Sequence, residues 1–528
     1  MPYLAPPADS THPIRIKPRK SVLGPSTAVT PPQLRLARDV VSAQACDMPT
    51  PALRLYPRPW LHALALVATL LAAVSLPAAG TARKGVTTTA LDRYVAKPDP
   101  AFSWKKAASL SEEGISADVL DVISQHWKPP GGSQPVPWQH WVTVIRPPAI
   151  EHDTVLLFIS GGSNRPGPAP KPTRELVEVA RATRSIVAEV RNIPNQPLIL
   201  EGDGKERKED DFIARTWLRF LETGDENWPA RLPMTKAAVR AMDAVSAFLA
   251  TPEGGGRRVD KFVVAGASKR GWTTWTTAIV DSRVVAICPL VIDILNVEAS
   301  MDHHHRAYGF FAPAVGDYYR QGIMAWSGTP EARALYAIED PLSYRDRLSL
   351  PKLLINACGD QFFLPDSSQF YFDALPGPKY LRYIPNTDHS MKGSDAPRTL
   401  AAWHHAIVTG AALPRLAWRH DSDGGLVVST GTKPRRAVLW RATNPEARDF
   451  RVETFGANWT SEPVDAAGGD IRVKVPDPAA GWTAYLVELE YDLGGPAPLK
   501  LTTEVTVTPK TLPHGAYRAE RPRGFLSQ

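Results

Sequence analysis

The sequence predicts an α/β protein with a mainly parallel sheet and helices on both faces. Short apolar runs alternate with segments of helical spacing from residue 138 to residue 413, an order typical of parallel sheets. The run at residues 262–264 leads directly into a tight Gly-x-Ser turn and a further helical segment. From residue 414 to residue 510 only short strands separated by turn residues follow, at the spacing of a β-sandwich.

The elements of the parallel part are bounded by turn residues or proline. The expected strands are residues 138–146, 154–160, 185–191, 262–264, 284–292, 353–357 and 379–384. The expected helices are residues 172–184, 211–221, 234–249, 272–280 and 398–408. Residues 293–350 break the alternation with mixed aromatic and charged residues, which favours an inserted cap.

Two regions outside the parallel part also have a local pattern. The polar stretch before Ile123 has helical spacing. The C-terminal strands are expected at residues 426–429, 437–440, 450–454, 471–475, 482–490 and 500–508.

Ser268 lies where a nucleophile elbow places its serine. The small residues Gly266 and Ala267 precede it, and they suit the strained backbone of a sharp strand-to-helix turn. The N–H groups at the start of the following helix point toward the serine, where they stabilise negative charge. The second glycine is Gly271, one position later than in the pattern G-x-S-x-G, and position 270 is arginine.

Three residues of the types that a serine hydrolase needs follow the ends of three expected strands. They are Ser268, Asp360 and His389, in the chain order that α/β-hydrolases use. The histidine takes the serine proton, and the buried carboxylate fixes the imidazole tautomer. The backbone N–H groups of Lys269 and of Gly162, or its neighbour, are expected to form the oxyanion hole. The sequence does not indicate which residues bind the rest of a substrate.

Other residues compete for two of these roles. Asp366 lies in the same loop as Asp360, but Asp360 directly follows the strand end and is favoured. His404 and His405 compete with His389, but both lie within a helical pattern.

Residues 303–305 are three consecutive histidines. Adjacent histidines point in different directions, and no acid or histidine partner stands at ligand spacing, so no metal is expected. No cofactor is expected either, because a Ser-His-Asp triad needs none. Contact with solvent or with a substrate is favoured for these histidines.

Four separated motifs resemble the PhoPQ-activated pathogenicity-related protein family, which also includes eukaryotic proteins similar to the autocrine proliferation repressor. They are A-L-D-R-Y-V-A-K-P-D, G-A-S-K-R-G-W, L-L-I-N-A-C-G-D-Q-F-F-L-P-D-S-S and N-T-D-H-S. The similarity covers about residues 90–510 and implies an α/β-hydrolase fold with a C-terminal β-rich domain. Ser268, Asp360 and His389 occupy the matching positions. With its displaced second glycine, the motif around Ser268 is also similar to the G-x-S-R-x-G motif of glucuronoyl esterases. The family name does not identify a substrate.

The N-terminal region has the order of a secretory signal. Met48 precedes two arginines, an apolar run over residues 61–76 and the small residues of P-A-A-G-T-A. The run is short for a membrane span and contains His62, and an uncleaved anchor is the alternative. The expected organisation is a disordered extension upstream of the true start at 1–47, a signal peptide at 48–82, a family-specific segment at 83–137, an α/β-hydrolase catalytic domain at 138–413 with its cap at about 293–350, a β-sandwich-like domain at 414–510 and a tail at 511–528.

The net charge bears on nucleic-acid binding, and the cysteines bear on disulfide formation. The formal net charge is +7, of which residues 1–47 contribute +3 and residues 48–82 contribute +2, which leaves +2 for the rest. A nearly neutral body gives no support for a nucleic-acid partner. Cys288 and Cys358 lie in or just after apolar runs, where buried free thiols or a disulfide both fit.

The combined expectation is an exported serine hydrolase, periplasmic or secreted, that cleaves ester or amide bonds. Its substrate would be a small molecule, a peptide or a glycan ester or amide, with no stable membrane span after signal cleavage. The alternative is a non-catalytic secreted binding or signalling protein on an α/β-hydrolase scaffold, because a fold alone does not guarantee activity.

We expect the mature chain to begin between about Ala79 and Lys84, because the charged, apolar and small-residue segments of a signal follow one another there. N-terminal sequencing of exported protein measures this directly. An intact Met1 on a cytosolic product would contradict the expectation.

Overall fold

A fourteen-stranded sheet is the largest element of the protein. The computed structural model describes residues 88–132, 134–466 and 469–527. The strands are β1 (Ser103–Glu112), β2 (Ile115–Trp127), β3 (Val136–Arg146), β4 (His152–Ile159), β5 (Ser185–Val190), β6 (Leu198–Ile199), β7 (Glu206–Arg207), β8 (Lys261–Ala267), β9 (Val284–Leu290), β10 (Lys352–Ala357), β11 (Lys379–Ile384), β12 (Leu416–His420), β13 (Leu426–Thr430), β14 (Arg436–Asn444), β15 (Thr460–Pro463), β16 (Ile471–Val473), β17 (Trp482–Tyr491), β18 (Leu499–Thr502) and β19 (Thr506–Thr508).

Helices cover the sheet and fill the long connection after β9. The α-helices are α1 (Ala90–Ala96), α2 (Arg174–Thr183), α3 (Glu209–Thr223), α4 (Arg231–Ala250), α5 (Lys269–Val280), α6 (Val297–Tyr308), α7 (Gly316–Arg320), α8 (Pro330–Glu339), α9 (Ala396–Thr409) and α10 (Val452–Phe455). Short 3-10 helices lie at Pro313–Val315, Ile323–Trp326, Pro341–Arg347 and Ser367–Phe370.

Six parallel strands form the centre of the large sheet, in the order β5-β4-β8-β9-β10-β11. The antiparallel strands β1, β2 and β3 extend it beyond β5, and β18, β17, β14 and β15 extend it beyond β11. Because parallel strands end at the same edge, the loops after β4, β8, β10 and β11 emerge together.

Most residues of the central parallel strands are apolar, because helices cover both faces. In β8, Phe262 and Val264 belong to the apolar core that contains α4 and α5. Val263 and Ala265 belong to the core on the other face, which contains α2 and α9. All four side chains are fully buried. The position of the turn that follows β8 is therefore fixed by packing on both sides.

Residues 103–127 form a β-hairpin, so the helical interpretation of the stretch before Ile123 is wrong. Strands β1 and β2 pair antiparallel around a two-residue turn at Glu113 and Gly114. Both turn residues have positive φ, 49° and 78°. Two-residue turns of this kind match the twist of the strands that they join, and glycine adopts the required backbone freely.

The chain between β9 and β10 forms a helical cap, as the interruption of the sequence pattern over residues 293–350 predicts. Helices α6, α7 and α8 and three 3-10 helices make up this cap. Helices α7 and α8 pack against α3.

The three consecutive histidines lie on α6 and have three different partners. His303 Nε2 lies 3.1 Å from both carboxylate oxygens of Asp366. His304 Nε2 accepts the Ala312 N–H at 3.0 Å, and His305 Nδ1 lies 3.1 Å from the Gly515 carbonyl oxygen. His303 and His304 are buried, so the expected contact with solvent is wrong for these two, whereas contact with a substrate stays a prediction. Among the described residues no group of three or more His, Cys, Asp or Glu could hold a metal ion.

The C-terminal strands lie in two sheets that share an apolar core. Strands β12, β13 and β16 form a separate three-stranded sheet, whereas β14, β15, β17, β18 and β19 belong to the large sheet. Val428 and Ile471 of the small sheet pack in the same core as Leu439 and Val487 of the large one. This is the sandwich-like arrangement that the strand spacing predicts, but its larger layer continues the central sheet through β11 and β18. Whether residues 414–510 can be separated from the rest stays a prediction.

Residues 450–454 were expected as a strand but contain the short helix α10. The Val452 N–H donates to the Gly359 carbonyl at 3.0 Å. A Cβ at Gly359 would lie only 2.3 Å from Val452 Cγ2, so the glycine permits this approach. The segment therefore packs on the loop after β10 instead of joining a sheet edge, a contact that local sequence pattern does not reveal.

Several further expectations concern the leader and the cysteines. The expected extension at 1–47 and the expected signal peptide at 48–82 lie outside the described residues. Cys288 and Cys358 are buried free thiols, the first of the two alternatives that the sequence left open. Within the described ranges, no helix is both long and apolar enough to span a bilayer.

The tail after β19 crosses the cap, where the His514 N–H donates to the Arg306 carbonyl at 3.0 Å.

A buried ion pair joins the parallel strands to the C-terminal strands. Arg382 on β11 donates to Glu488 on β17, and the two side chains are 2% and 5% exposed. We expect Glu488→Ala to lower the free energy of unfolding by about 2 kcal/mol, because the buried guanidinium loses one of its two carboxylate partners and keeps only Asp395. Urea unfolding measures the difference.

Glu462→Ala is the matched control, because Glu462 pairs with Arg441 at the surface, where both side chains are about half exposed. A surface pair contributes less than about 1 kcal/mol. Equal losses in the two variants would contradict the structural role of the Arg382–Glu488 pair.

Candidate active site

Ser268 occupies a strained turn between β8 and α5. Its backbone has φ 57° and ψ −128°. A Cβ at Gly266 would lie 2.8 Å from the Arg270 carbonyl oxygen, and a Cβ at Gly271 would lie 2.9 Å from the Gly266 carbonyl oxygen. Both glycines are therefore required by close backbone approach. This explains the displaced second glycine, because position 271 is the one that faces the strand, and position 270 is free to carry a long side chain.

Glu209 at the start of α3 binds both basic residues that follow Ser268. Its Oε2 lies 2.8 Å from Lys269 Nζ, and its two carboxylate oxygens accept hydrogen bonds from Arg270 at 2.7 and 2.8 Å. Burial acts to raise the pKa of Glu209, but the hydrogen bonds and charges of Arg270 and Lys269 outweigh it and lower the pKa to about 2. The turn is thus tied to α3 by a carboxylate that stays ionised.

Asp360 and His389 form a close pair after β10 and β11. His389 Nδ1 lies 2.8 and 3.0 Å from the two oxygens of Asp360, whose side chain is 3% exposed. The Phe362 N–H donates to the same carboxylate at 2.7 Å, and Gln361 accepts the His389 backbone N–H at 3.0 Å. A carboxylate on Nδ1 orients the ring so that Nε2 is free to act as a base.

Asp366 lies elsewhere and serves different partners. It accepts a hydrogen bond from Arg448 of the C-terminal region and lies 3.1 Å from His303 Nε2 on the cap. Burial acts to raise the pKa of Asp366, but Arg448 and His303 hold it well below its usual range. In the described part of the chain no hydrogen bond joins Asp366 to His389. The structure therefore pairs the histidine with Asp360 and uses Asp366 to join three regions.

The two competing histidines lie away from this pair. His404 Nε2 lies 2.8 Å from Ser185 Oγ, and its ring is fully buried between α9 and β5. Burial lowers the pKa of His404 to about 3. His405 is the next residue of the same helix and is partly buried.

The two expected oxyanion donors have different surroundings. Lys269 is the first residue of α5, where a backbone N–H has no partner within its own helix. Gly162 has φ 151°, and its carbonyl accepts a hydrogen bond from Gln196 at 3.2 Å. Gly162 lines a separate cavity and not the one that contains Ser268. Its neighbour Gly161 packs against the Arg270 guanidinium, because a Cβ there would lie 2.6 Å from Nη2.

A cavity of about 60 Å³ connects Ser268 with the loop that carries Asp360. Ser268, Lys269, Phe362 and Phe363 all line it. The rings of Phe362 and His389 stand 4.3 Å apart, so the serine and the histidine share a neighbour. Across the described residues, no hydrogen bond of 3.5 Å or less joins Ser268 Oγ to His389. Catalytic hydrogen bonds are often long before substrate binds.

Several residues of this site could not be assigned to it from the sequence. Glu209 and Asp210 bind Lys269 from a helix almost 60 residues earlier in the chain, and no local pattern indicates such a pair. Phe362 and Phe363 were readable as an apolar pair beside Asp360, but only the fold shows that their rings line the cavity and contact the histidine.

The order of the strands defines the class of protein. Strands β2-β3-β5-β4-β8-β9-β10-β11 follow the sheet order of the α/β-hydrolase fold, and Ser268, Asp360 and His389 follow its fifth, seventh and eighth strands. This is an α/β-hydrolase fold with an inserted cap. Residues 91–451 match the sequence profile of the PhoPQ-activated pathogenicity-related protein family, and the chain belongs to that family.

One curated relative and two solved structures illustrate what this chain is similar to. The chain is 36% identical over 458 residues to autocrine proliferation repressor protein A of Dictyostelium discoideum. The aligned region covers 81% of this chain and 92% of that protein. Among solved structures, acetyl xylan esterase 1 from Thermoanaerobacterium sp. JW/SL YS485 matches with a TM-score of 0.41 at 15% identity, over 60% of this chain and 92% of that one. The S-formylglutathione hydrolase from Agrobacterium tumefaciens matches with a TM-score of 0.36 at 15% identity, over 58% and 99%.

We expect Asp360→Asn to lower kcat for an activated ester about 10³- to 10⁴-fold, because an amide on Nδ1 favours the wrong imidazole tautomer. Steady-state hydrolysis of p-nitrophenyl acetate, with thermal unfolding of each variant, measures this.

Asp366→Asn is the matched control from the same loop. It should lower the melting temperature, because it removes a charge that Arg448 and His303 share, and it should cost much less in kcat. A larger loss of kcat in Asp366→Asn at equal stability would reassign the acid.

Proposed function

We propose that this protein is an exported serine hydrolase that cleaves ester or amide bonds with Ser268, His389 and Asp360. The observation that carries the proposal is the Asp360–His389 pair, at 2.8 Å, at the sheet edge where Ser268 holds a strained strand-to-helix turn. Strained serines at such turns cluster at catalytic sites, since the surrounding structure has to stabilise them.

Each group has a defined part in the proposed reaction. His389 Nε2 takes the proton of Ser268 Oγ as the oxygen attacks the substrate carbonyl, and Asp360 stabilises the imidazolium that forms. The Lys269 N–H at the start of α5 donates to the developing oxyanion, with a second donor from Gly162 or its neighbour. His389 then gives the proton to the leaving group. Water then attacks the acyl carbonyl while His389 takes a proton from it, and His389 returns the proton to Ser268 Oγ as the acid leaves.

We propose that the enzyme acts outside the cytoplasm, in the periplasm or secreted, because residues 48–82 have the order of a secretory signal. Its substrate is an ester or amide of a small molecule, a peptide or a glycan. The weak net charge of the chain beyond residue 82 supports no nucleic-acid partner.

A second function has one observation in its favour. The curated relative from Dictyostelium discoideum is named as an autocrine proliferation repressor, which describes regulation and not hydrolysis. A non-catalytic secreted binding or signalling protein on this scaffold is therefore the alternative.

A fluorophosphonate reagent distinguishes the two functions. We expect it to label purified wild-type protein at Ser268, located by mass spectrometry, and to leave Ser268→Ala unlabelled. Ser268→Ala should also lose on the order of 10³-fold or more in the rate of ester hydrolysis, because triad members act as a unit.

Ser111→Ala is the control, because Ser111 is an exposed serine on β1. It should keep both labelling and rate. Full activity in Ser268→Ala would end the hydrolase mechanism, and absence of labelling and of hydrolysis in the wild type would favour the alternative.

A further inference from the structure

The cavity beside Ser268 is largely apolar, and the cap supplies eight of its seventeen lining residues. Thirteen of its seventeen lining residues are aliphatic or aromatic. The cap contributes Val315, Ile323 and Met324, all buried, and the body contributes Trp272 and Phe362. A surface of this kind gains free energy by excluding water around hydrocarbon and offers little to a polar group.

The charged groups of the cavity already have partners. Asp210 lies 3.1 Å from Lys269 Nζ and accepts a hydrogen bond from Tyr318 at 3.1 Å. Arg231 lies 3.5 Å from Glu339, and its guanidinium lies 4.6 Å from the centre of the Trp272 ring. A charged ligand would therefore enter without a free partner of opposite sign, and burial of an unpaired charge is costly.

The position of His389 decides which half of a substrate the cavity can hold. Phe362 and Phe363 line the cavity and contact the His389 ring, with centroids 4.3 and 5.9 Å away. His389 is not among the described residues that line the cavity. A leaving group has to lie beside the histidine to receive its proton. A group held in the cavity lies beside Ser268 and Lys269, whereas His389 does not line the cavity, so such a group belongs to the acyl half.

We propose that this cavity is an acyl pocket that selects uncharged hydrocarbon acyl groups of about five to seven carbons. The inference rests on the proposed hydrolase function. A space of about 10–15 Å³ by this measure holds one water-sized group, so about 60 Å³ holds four to six such groups beyond the carbonyl carbon. The predicted substrate class is therefore esters or amides of short, neutral aliphatic acids.

A series of p-nitrophenyl esters tests the pocket in purified wild-type protein. From acetate to hexanoate, kcat/KM should rise about fourfold for each added methylene, the gain expected for burying hydrocarbon. It should fall for decanoate and dodecanoate. The monoester of adipic acid has the length of the hexanoate ester with a terminal carboxylate, and its kcat/KM should be at least about 100-fold lower than that of hexanoate.

Two cap variants should shift the optimum in opposite directions. Val315→Phe fills the cavity and should lower the hexanoate-to-acetate ratio of kcat/KM about tenfold. Ile323→Ala enlarges the cavity and should move the optimum to longer chains. Leu335→Ala is the matched control, because Leu335 is fully buried in the cap on α8 but does not line the cavity. It should lower stability without moving the optimum, so loss of stability alone cannot produce the two shifts.

The outcomes separate this inference from the proposed function. Labelling of Ser268 with a flat chain-length profile, or with adipate cleaved as fast as hexanoate, overturns the acyl pocket and leaves the hydrolase intact. No labelling and no hydrolysis of any ester overturns both. A chain-length optimum that neither Val315→Phe nor Ile323→Ala moves would assign the selection to another surface and overturn the pocket.

Discussion

The backbone of Ser268 has a conformation that persists only where its surroundings stabilise it. Gly266 and Gly271 remove the two side chains that would prevent the close approach of strand and helix. Glu209 then fixes the next two side chains, Lys269 and Arg270, to α3. Because both bases share one ionised carboxylate, the direction in which α5 leaves the strand is tied to the first turn of α3. The candidate nucleophile therefore depends on an ion-pair cluster as much as on the sheet.

The loop after β10 connects the catalytic candidates with the rest of the molecule. Asp360 holds His389, and Phe362 lines the cavity beside the serine. At its far end Asp366 joins His303 of the cap to Arg448 of the C-terminal region. One short loop thus couples the candidate acid, the cap and the C-terminal strands. The C-terminal region contributes to the geometry of the site without supplying a catalytic candidate.

Much of this architecture could be predicted from the sequence. The parallel strands are mostly apolar runs, and the Gly-x-Ser turn has a local signature, so both could be predicted. The hairpin around Gly114 and the helix at Val452 were not, because the first resembles a polar helix and the second depends on contact with Gly359. The partners of Glu209 were also hidden, since pairs about 60 residues apart in the chain meet only through the fold. The apolar character of the cavity comes from cap side chains whose sequence has no regular period.

In the proposed reaction, Ser268 attacks a carbonyl carbon, the Lys269 N–H stabilises the oxyanion, and the acyl chain fills the cap cavity. A crystal structure of the protein after reaction with a hexyl phosphonate ester tests these points together, because the phosphorus mimics the tetrahedral intermediate. We expect continuous density from Ser268 Oγ to phosphorus, a phosphoryl oxygen within about 3 Å of the Lys269 backbone nitrogen, and the hexyl chain between Val315 and Phe362. Phosphonylation of another residue, or a hexyl chain pointing to solvent, would contradict the proposed reaction.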